Sequence, residues 1–420
     1  MSPSSRLEIY PGATWTATNG RHIQAHGGGI FKVGAKYYWH GEEKTEGTEF
    51  QAINCYSSED LVRWDYEGKA LTVQESGDLG PNRIVERPKV VYNKPSAKYV
   101  MYIHIDVGDY SEAKVGVATC DTVNGKFEYK GSFRPMGFES RDMGVFVDDD
   151  DKGYLISEDL SKGQQTKRVL SSDYQAVVKH VHTFPEHLES PAMIKKDGLY
   201  YLFASGLTFW FANDNLYTTS PSLAGPWAEW RMFAKPASAT YSSQVNFVLP
   251  VGDSVLYMGD RWQYPGLPRS TYVWLPMKVQ GPDVTMDNTK GFHIDLNSGY
   301  MVTTVPSKEY QPEPRSSGPA DTGAVLASFA FETRSVTDGI TIAFQYTAST
   351  ENERTAFVSV NDSGSRLPLA FLGSANPAHV AVSTVHLAEP ISAGKHRLTV
   401  WNADKSELEI EIRGAIIPTV

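Results

Sequence analysis

The chain has 420 residues, with 39 Lys and Arg against 49 Asp and Glu, for a formal charge of −10. Hydrophobic residues at 41% and aromatics at 12% exclude an intrinsically disordered chain. An acidic balance without any block of Lys or Arg argues against nucleic acid or an anionic membrane as partner, and there is no apolar run of about 18 residues to span a bilayer. The length suggests two or three domains, each large enough for its own core. The 22 Tyr and 9 Trp are the positive clue, because their rings stack on apolar faces and also hydrogen-bond, which suits sugars. Most aromatics are nevertheless expected to fill β cores.

The N-terminus, MSPSSRLEIYPGATW, shows neither a basic n-region nor an apolar h-region. The expectation is a cytosolic protein or one from which a signal peptide has been removed. Cys55 and Cys120 both lie in strand-like runs, so two buried free thiols are expected, with one disulfide as the alternative. One glycosylation sequon occurs, Asn361-Asp362-Ser363.

Helical periodicity is almost absent. Short strands rich in Val, Tyr, Phe and Thr alternate with Gly, Pro, Asn and Asp. Five segments share a polar turn followed by a Tyr-bearing strand: VGAKYYWHG (33–41), PSAKYVMYIHI (95–105), DDDDKGYLISED (148–159), KKDGLYYLFASG (195–206) and VGDSVLYMGDR (251–261). Their tyrosines, Tyr38, Tyr99, Tyr154, Tyr201 and Tyr257, recur at intervals of about 47 to 61 residues, the size of a four-stranded propeller blade. YSSEDLVRWDYEG (56–68), ATCDTVNGKFEYKG (118–131) and TTSPSLAGPWAEW (218–230) read as outer hairpins whose aromatics pack between neighbouring sheets. The fold class expected is all-β: a five-bladed β-propeller over 1–306, with 284–305 closing or bracing it. A Pro-, Ser- and Gly-rich linker follows over 307–323, then a C-terminal β-sandwich (jelly roll) over 324–420, where alternating strands such as GITIAFQYTA and HRLTVWNAD recur.

A propeller's pocket is its central funnel, reached from the first strand of each blade. Those positions hold His26 in QAHGGGI, Glu86 in VERPK, Asp142 in SRDM, Glu189 in LESPA and Gln244 in YSSQV. Three acids in one register, each next to an apolar strand, suggest paired carboxylates for glycoside hydrolysis, one kept protonated by burial and a neighbouring negative charge. Glu189 with Asp142 fits that role. His26 among glycines reads as a close backbone approach, and the residue is either a substrate contact or a packed, hydrogen-bonded histidine. Asp148–Asp151 could suggest calcium, but a solvated hairpin tip is the expected reading.

The motifs QAHGGGI, ERPKVVYN, ESRDMGVFVDDDDKGYL, LESPAMIKKDGLYYLFASGLTFW and MGDRW resemble glycoside hydrolase family 43, in particular its exo-β-1,3-galactanase (galactan 1,3-β-galactosidase) branch. The resemblance covers about residues 12–280 and implies a five-bladed propeller and an inverting hydrolase. The implied activity is release of galactose from the non-reducing end of β-1,3-galactan, the backbone of arabinogalactan. By position it implies Glu189 as general acid and Asp142 as the acid that tunes and orients it. Glu86, Glu42 and Tyr110 are implied as contacts to the terminal galactose, and Thr208 and Trp210 as a subsite wall. The relatives read Ser-Gly-Cys-Thr-Gly-Trp in that wall, where this chain has Leu207 and Phe209. Most of the family has an Asp at the start of blade one, which is missing here. The galactanase branch shares that lack and has Gln at the position of Gln244, which is implied to hold the attacking water by its amide oxygen, aided by an imidic-acid tautomer. Inversion needs groups about 6.5–9.5 Å apart to admit water, so Gln244 lying directly against Glu189 would count against it.

ITIAFQY, FVSVND and AGKHRLTVWNAD resemble carbohydrate-binding module family 35 over about 324–414, implying either a galactan- or uronate-binding module or a purely structural domain. The resemblance leaves room for a structural calcium there, although the family's Glu-Ala-Glu opening strand is not visible. No catalytic metal or other cofactor is expected. The partner expected is a β-1,3-galactan or arabinogalactan polysaccharide, with the protein a monomer and, given a polymeric substrate, secreted. The alternatives are a family-43 arabinofuranosidase or xylosidase, against which the missing Asp argues, and a catalytically silent sugar-binding propeller.

Overall fold

The computed structural model describes residues 7–161, 164–303, 306–313, 323–361, 364–403 and 410–419, with 164–168 as backbone only. Linker positions 314–322 and two of the three sequon residues lie outside the described residues. The chain divides into two compact units, one of Gln24–Glu59 and Tyr66–Asn288, the other of the chain up to Ile23, Asp60–Asp65 and everything from Thr289.

The first unit is a five-bladed propeller of four-stranded antiparallel sheets. From the axis outward, blade I is His26–Val33, Lys36–Glu42, Ala52–Ser58 and Asp65–Thr72, and blade II is Arg83–Asn93, Lys98–Val107, Lys114–Cys120 and Glu128–Phe133. Blade III is Met143–Val147, Gly153–Asp159, Gln164–Leu170 and Val177–Phe184. Blade IV is Leu188–Lys196, Leu199–Gly206, Leu216–Ser220 and Arg231–Met232, and blade V is Gln244–Val251, Ser254–Arg261, Thr271–Gln280 and Asp283–Met286. The inner strands touch in cyclic order, and the last meets the first.

Apolar residues of adjacent blades fill the spaces between sheets. Ile53 and Cys55 pack with Met101 and Ile103, Val117 and Tyr102 with Leu155, and Ile194 and Phe203 with Val245 and Val248. The closing interface is aromatic: Trp39 of blade I lies 4.7 Å from Tyr272 and 4.9 Å from Trp274 of blade V. Most aromatics therefore do the packing expected of them. Blade V is one unbroken stretch of chain, so closure needs only inner-strand contact and this interface. Asp283–Met286 forms its outermost strand, whereas the chain from Thr289 joins the second unit.

That second unit is a sandwich. One sheet has the order Thr14–Trp15, Ala381–Leu387, Ile340–Ala348, Ile410–Pro418 and Ser307–Tyr310; the other has Val325–Thr333, Gly394–Asn402, Arg354–Val360 and Leu367–Phe371. Phe329, Phe344, Tyr346, Val358, Phe371 and Leu398 are among its buried core. The division drawn from sequence at 306 differs from this one. Thr14–Trp15 pairs in parallel with Ser383 and Thr384, and Ile9 bridges Phe292, so the N-terminal segment is part of the sandwich unit. A two-residue strand has no alternation to reveal it.

Candidate active site

Each inner strand brings one polar side chain to the funnel, and the second strand of the same blade sets another opposite it. The cross-strand pairs are His26↔Glu42, Glu86↔His104, Glu189↔Ser205 and Gln244↔Asp260. In blade III the Glu158 N–H donates to the Asp142 carbonyl at 3.0 Å, one step beyond the Met143↔Ser157 pair. Bulges re-aim three of these strands just past the site residue, between His26 and Gly29, Glu86 and Lys89, and Glu189 and Ala192. The next residue in each is left-handed: Gly27 (φ +60°), Arg87 (+56°) and Ser190 (+54°). At Gly27 a Cβ would fall 1.8 Å from Glu42 Oε1, so only glycine fits. Arg87 and Ser190 hold the strained form at about 1 kcal/mol or more each. A left-handed turn through Ala239–Ser242 likewise leads into Gln244, pinned by Thr240 Oγ1 donating to the Asn213 carbonyl at 3.0 Å.

Arg87 is the hub. Its guanidinium lies 2.7 Å from Asp142 Oδ2 and donates to Ser190 Oγ and to Gln244 Oε1, each at 2.8 Å. Gln244 Oε1 also accepts from Trp262 Nε1 at 2.9 Å, while Gln244 Nε2 donates to Ser205 Oγ at 3.0 Å and to Glu189 Oε1 at 2.7 Å. Two donors on one side fix which end of the amide is oxygen. The Gln244 oxygen is thus engaged twice and is not free to hold water, and a tautomer with a proton on it would face two donors and no acceptor. Gln244 also touches Glu189 without the gap that inversion requires, so in this arrangement the geometry counts against an inverting pair poised for attack.

Burial, then the charges of Asp142 and Glu158, push the Glu189 carboxyl up to about 9, against the opposing pull of Arg87, so it keeps its proton at neutral pH. Burial and Asp142 also push Glu158 up to about 8. Glu86 goes the other way. Burial opposes its ionisation, but Lys44 and His104 outweigh this and hold it down to about 2. Lys44 Nζ sits 2.7 Å from Glu42 and 3.2 Å from Glu86, and Tyr110 donates to Glu86 at 3.3 Å. Buried Glu42 is itself raised by desolvation. Together Glu42, Lys44, Glu86 and Tyr110 make a charged floor able to bind hydroxyls.

His26 is fully buried. Its Nδ1 lies 3.1 Å from Asp260, its ring stacks on Tyr272 at 4.8 Å, and Tyr272 OH lies 3.4 Å from Nε2. The substrate contact considered for it is replaced by the packed, hydrogen-bonded histidine, because both nitrogens face protein groups. Trp210 reaches the site: Lys44 Nζ lies 5.5 Å over its ring, and it packs on Trp262 at 4.8 Å. Thr208 is exposed, and its hydroxyl is held within its own loop by Phe211 and Asn213. The structure therefore brings together Glu189, Gln244, Asp142, Glu86, Glu42, Tyr110 and Trp210, but ties Thr208 to its loop.

Sequence reasoning gave no role to Arg87, Trp262, Lys44, His104, Glu158, Ser205 or Asp260. Several could have been found: the residue three to five positions after each repeat tyrosine is Glu42, His104, Glu158, Ser205 or Asp260. Ligand atoms of Glu86, His104 and Asp142 lie within 4.8 Å of one another, a spacing able to hold a metal. Lys44, Asp106 and Arg87 already partner these three. At the Asp148–Asp151 tip every carboxylate pairs with a lysine: Asp148 and Asp149 with Lys195, Asp150 with Lys152 and Asp151 with Lys94. This is the solvated hairpin expected there. Cys55 and Cys120 are both free, the first buried and the second half-buried.

A family model of the glycosyl hydrolases family 43 matches residues 24–244. Among solved structures, the chain is similar to an exo-β-1,3-galactanase from Phanerochaete chrysosporium, solved with β-1,3-galactotriose. The identity is 30% and the TM-score 0.72, over 98% of this chain and 100% of that one. It is also similar to an exo-β-1,3-galactanase from Clostridium thermocellum, at 27% identity and a TM-score of 0.68, over 96% and 88% of the two chains. An arabinoxylan arabinofuranohydrolase from Bacillus subtilis, at 14% identity and a TM-score of 0.56, shares the fold. No curated protein matches the sequence.

Proposed function

We propose that this chain, which belongs to glycosyl hydrolases family 43, is an exo-acting hydrolase releasing galactose from the non-reducing end of β-1,3-galactan. That it is a glycoside hydrolase follows from the family; the substrate rests on the galactanases it resembles. The observation that carries the mechanism is the Glu189 carboxyl set against Gln244 at 2.7 Å in the ring of inner-strand side chains, where burial and the charge of Asp142 raise its proton affinity well above the usual carboxylate range. Terminal galactose binds over Glu42, Lys44, Glu86 and Tyr110. Glu189 donates its proton to the glycosidic oxygen as the C1–O bond breaks, and the negative charge of Asp142 favours the positive charge growing on the sugar ring.

Stereochemistry follows from which side chain can move. Gln244 is held by Arg87, Trp262 and Ser205, whereas the one hydrogen bond described for Glu189 is that from Gln244. Sugar entering between them displaces Glu189 toward the leaving group and frees the Gln244 N–H to orient a water on the opposite face. An oxocarbenium-like transition state needs little help from a base: water adds to C1 from that face as the bond to the leaving oxygen breaks, its surplus proton passes to solvent, and inversion results. On β-1,3-galactan the expected product is galactose alone, appearing first as the α-anomer by NMR. Arabinose or xylose release would favour the sister activities, and β-galactose appearing first would mean that a carboxylate is the nucleophile.

The reaction so written needs no metal or other cofactor, since Glu189 supplies the proton and the Glu42, Lys44, Glu86 and Tyr110 floor holds the sugar. A polymeric substrate favours a secreted enzyme, and a monomer is the default assembly. The sandwich serves to hold it on galactan, and any calcium there is structural.

A further inference from the structure

Around the pocket lies an aromatic surface to which the mechanism gives no role. The loop after the second strand of blade IV reads Leu207-Thr208-Phe209-Trp210-Phe211, and Phe209 and Phe211 are 59% and 64% exposed. Large apolar side chains gathered in solvent commonly mark a binding surface. The loop is built to hold them there. Asn213 Nδ2 donates to the Gly206 carbonyl and to Thr208 Oγ1, each at 2.8 Å, and its Oδ1 accepts the Gly206 N–H at 3.1 Å. Phe209 itself is left-handed, at φ +59°.

A second loop, from blade V, meets it. Tyr264 is 45% exposed, abuts Phe209 edge-on at 5.0 Å, and lies parallel to Trp210 at 6.3 Å. Trp210 packs on Trp262, whose indole N–H donates to Gln244. The aromatics thus run without interruption from Gln244, which itself touches the general acid Glu189, out to solvent.

We propose that Phe209 and Tyr264 form a sugar-stacking platform for the part of the chain on the leaving-group side of the scissile bond. This rests on the exo-galactanase reading. If the terminal galactose fills the charged floor, only the rest of the polymer passes the rim. A pyranose presents a C–H face that stacks on an aromatic ring, and two rings fixed in place by packing bind it with little loss of side-chain freedom. The occupant is therefore a β-linked hexopyranose unit beyond the first.

The test compares kcat/KM on β-1,3-galactotetraose with that on an aryl β-galactoside, which has no sugar beyond the scissile bond. In the Phe209→Ala/Tyr264→Ala double variant the tetraose-to-aryl ratio is expected to fall about tenfold, mainly through KM. Phe138→Ala, another exposed aromatic, serves as control and is expected to leave the ratio as it is. Equal losses on both substrates, or an unchanged ratio in the double variant, would overturn the platform. A wild-type enzyme that cleaves the aryl galactoside but no β-1,3-galactooligosaccharide would overturn the substrate reading, and the platform with it.

Discussion

Replacing Asp142 with Asn removes the charge that most directly keeps Glu189 protonated. The Glu189 carboxyl is raised to about 9 by burial first and by Asp142 second. An acid catalyst works while it holds its proton, so activity is present below that value and falls as pH rises through it. Two unit charges about 5 Å apart at an effective dielectric of about 20 interact by about 3 kcal/mol, equivalent to about 2 pKa units. Arg87, 2.7 Å from Asp142, already offsets part of that field and in the variant is left to favour Glu189 ionisation. The net expectation is a basic limb lower by about 1 to 2 units. The assay is kcat/KM on β-1,3-galactobiose as a function of pH, which reports the free enzyme. A basic limb that stays near 9, or rises, would refute the claim that Asp142 sets this proton affinity.

Gln244→Ala and Gln244→Glu should each reduce kcat on β-1,3-galactobiose by about 100-fold or more, and retention of near wild-type kcat would exclude Gln244 from positioning the water. Arg87→Lys keeps the charge but loses the fork that binds Asp142, Ser190 and Gln244 together. Two lost buried hydrogen bonds, about 3 kcal/mol, should lower kcat about 100-fold with a smaller change in KM, measured by steady-state kinetics. Trp15→Ala should destabilise the sandwich by about 3–5 kcal/mol in chemical denaturation, because Trp15 is buried and its indole donates to the Tyr10 carbonyl at 2.9 Å.

The blades and the inner ring of side chains were legible because both are periodic. One tyrosine per blade marks the second strand, and the site residue stands at a fixed place on the first. The partners across the strand were legible only in part, since pairing His104 with Glu86 requires the register through a bulge, and Glu158 with Asp142 lies one step beyond the end of the paired strands. The bulges carry little sign of themselves. Gly27 announces a left-handed residue, whereas Arg87 and Ser190 adopt the same conformation with side chains that do not favour it. The role of Gln244 was misjudged at the level of single atoms. Whether its oxygen is free depends on Arg87, which reaches it from blade II, and on Trp262, just past the second strand of its own blade; neither contact shows in the sequence. The N-terminal strand was hidden for a different reason: Thr14–Trp15 is too short to show a pattern and pairs with residues far along the chain.

Glu189→Gln is the most direct test of general-acid catalysis, because it keeps the shape of the side chain and removes the transferable proton. On β-1,3-galactobiose, whose leaving group needs that proton, kcat is expected to fall by 1,000-fold or more, on the order of 4 kcal/mol. On a galactoside with a dinitrophenolate leaving group, which departs unprotonated, most of the rate should return. An equal loss on both substrates, or activity on galactobiose near that of the wild type, would contradict the assignment.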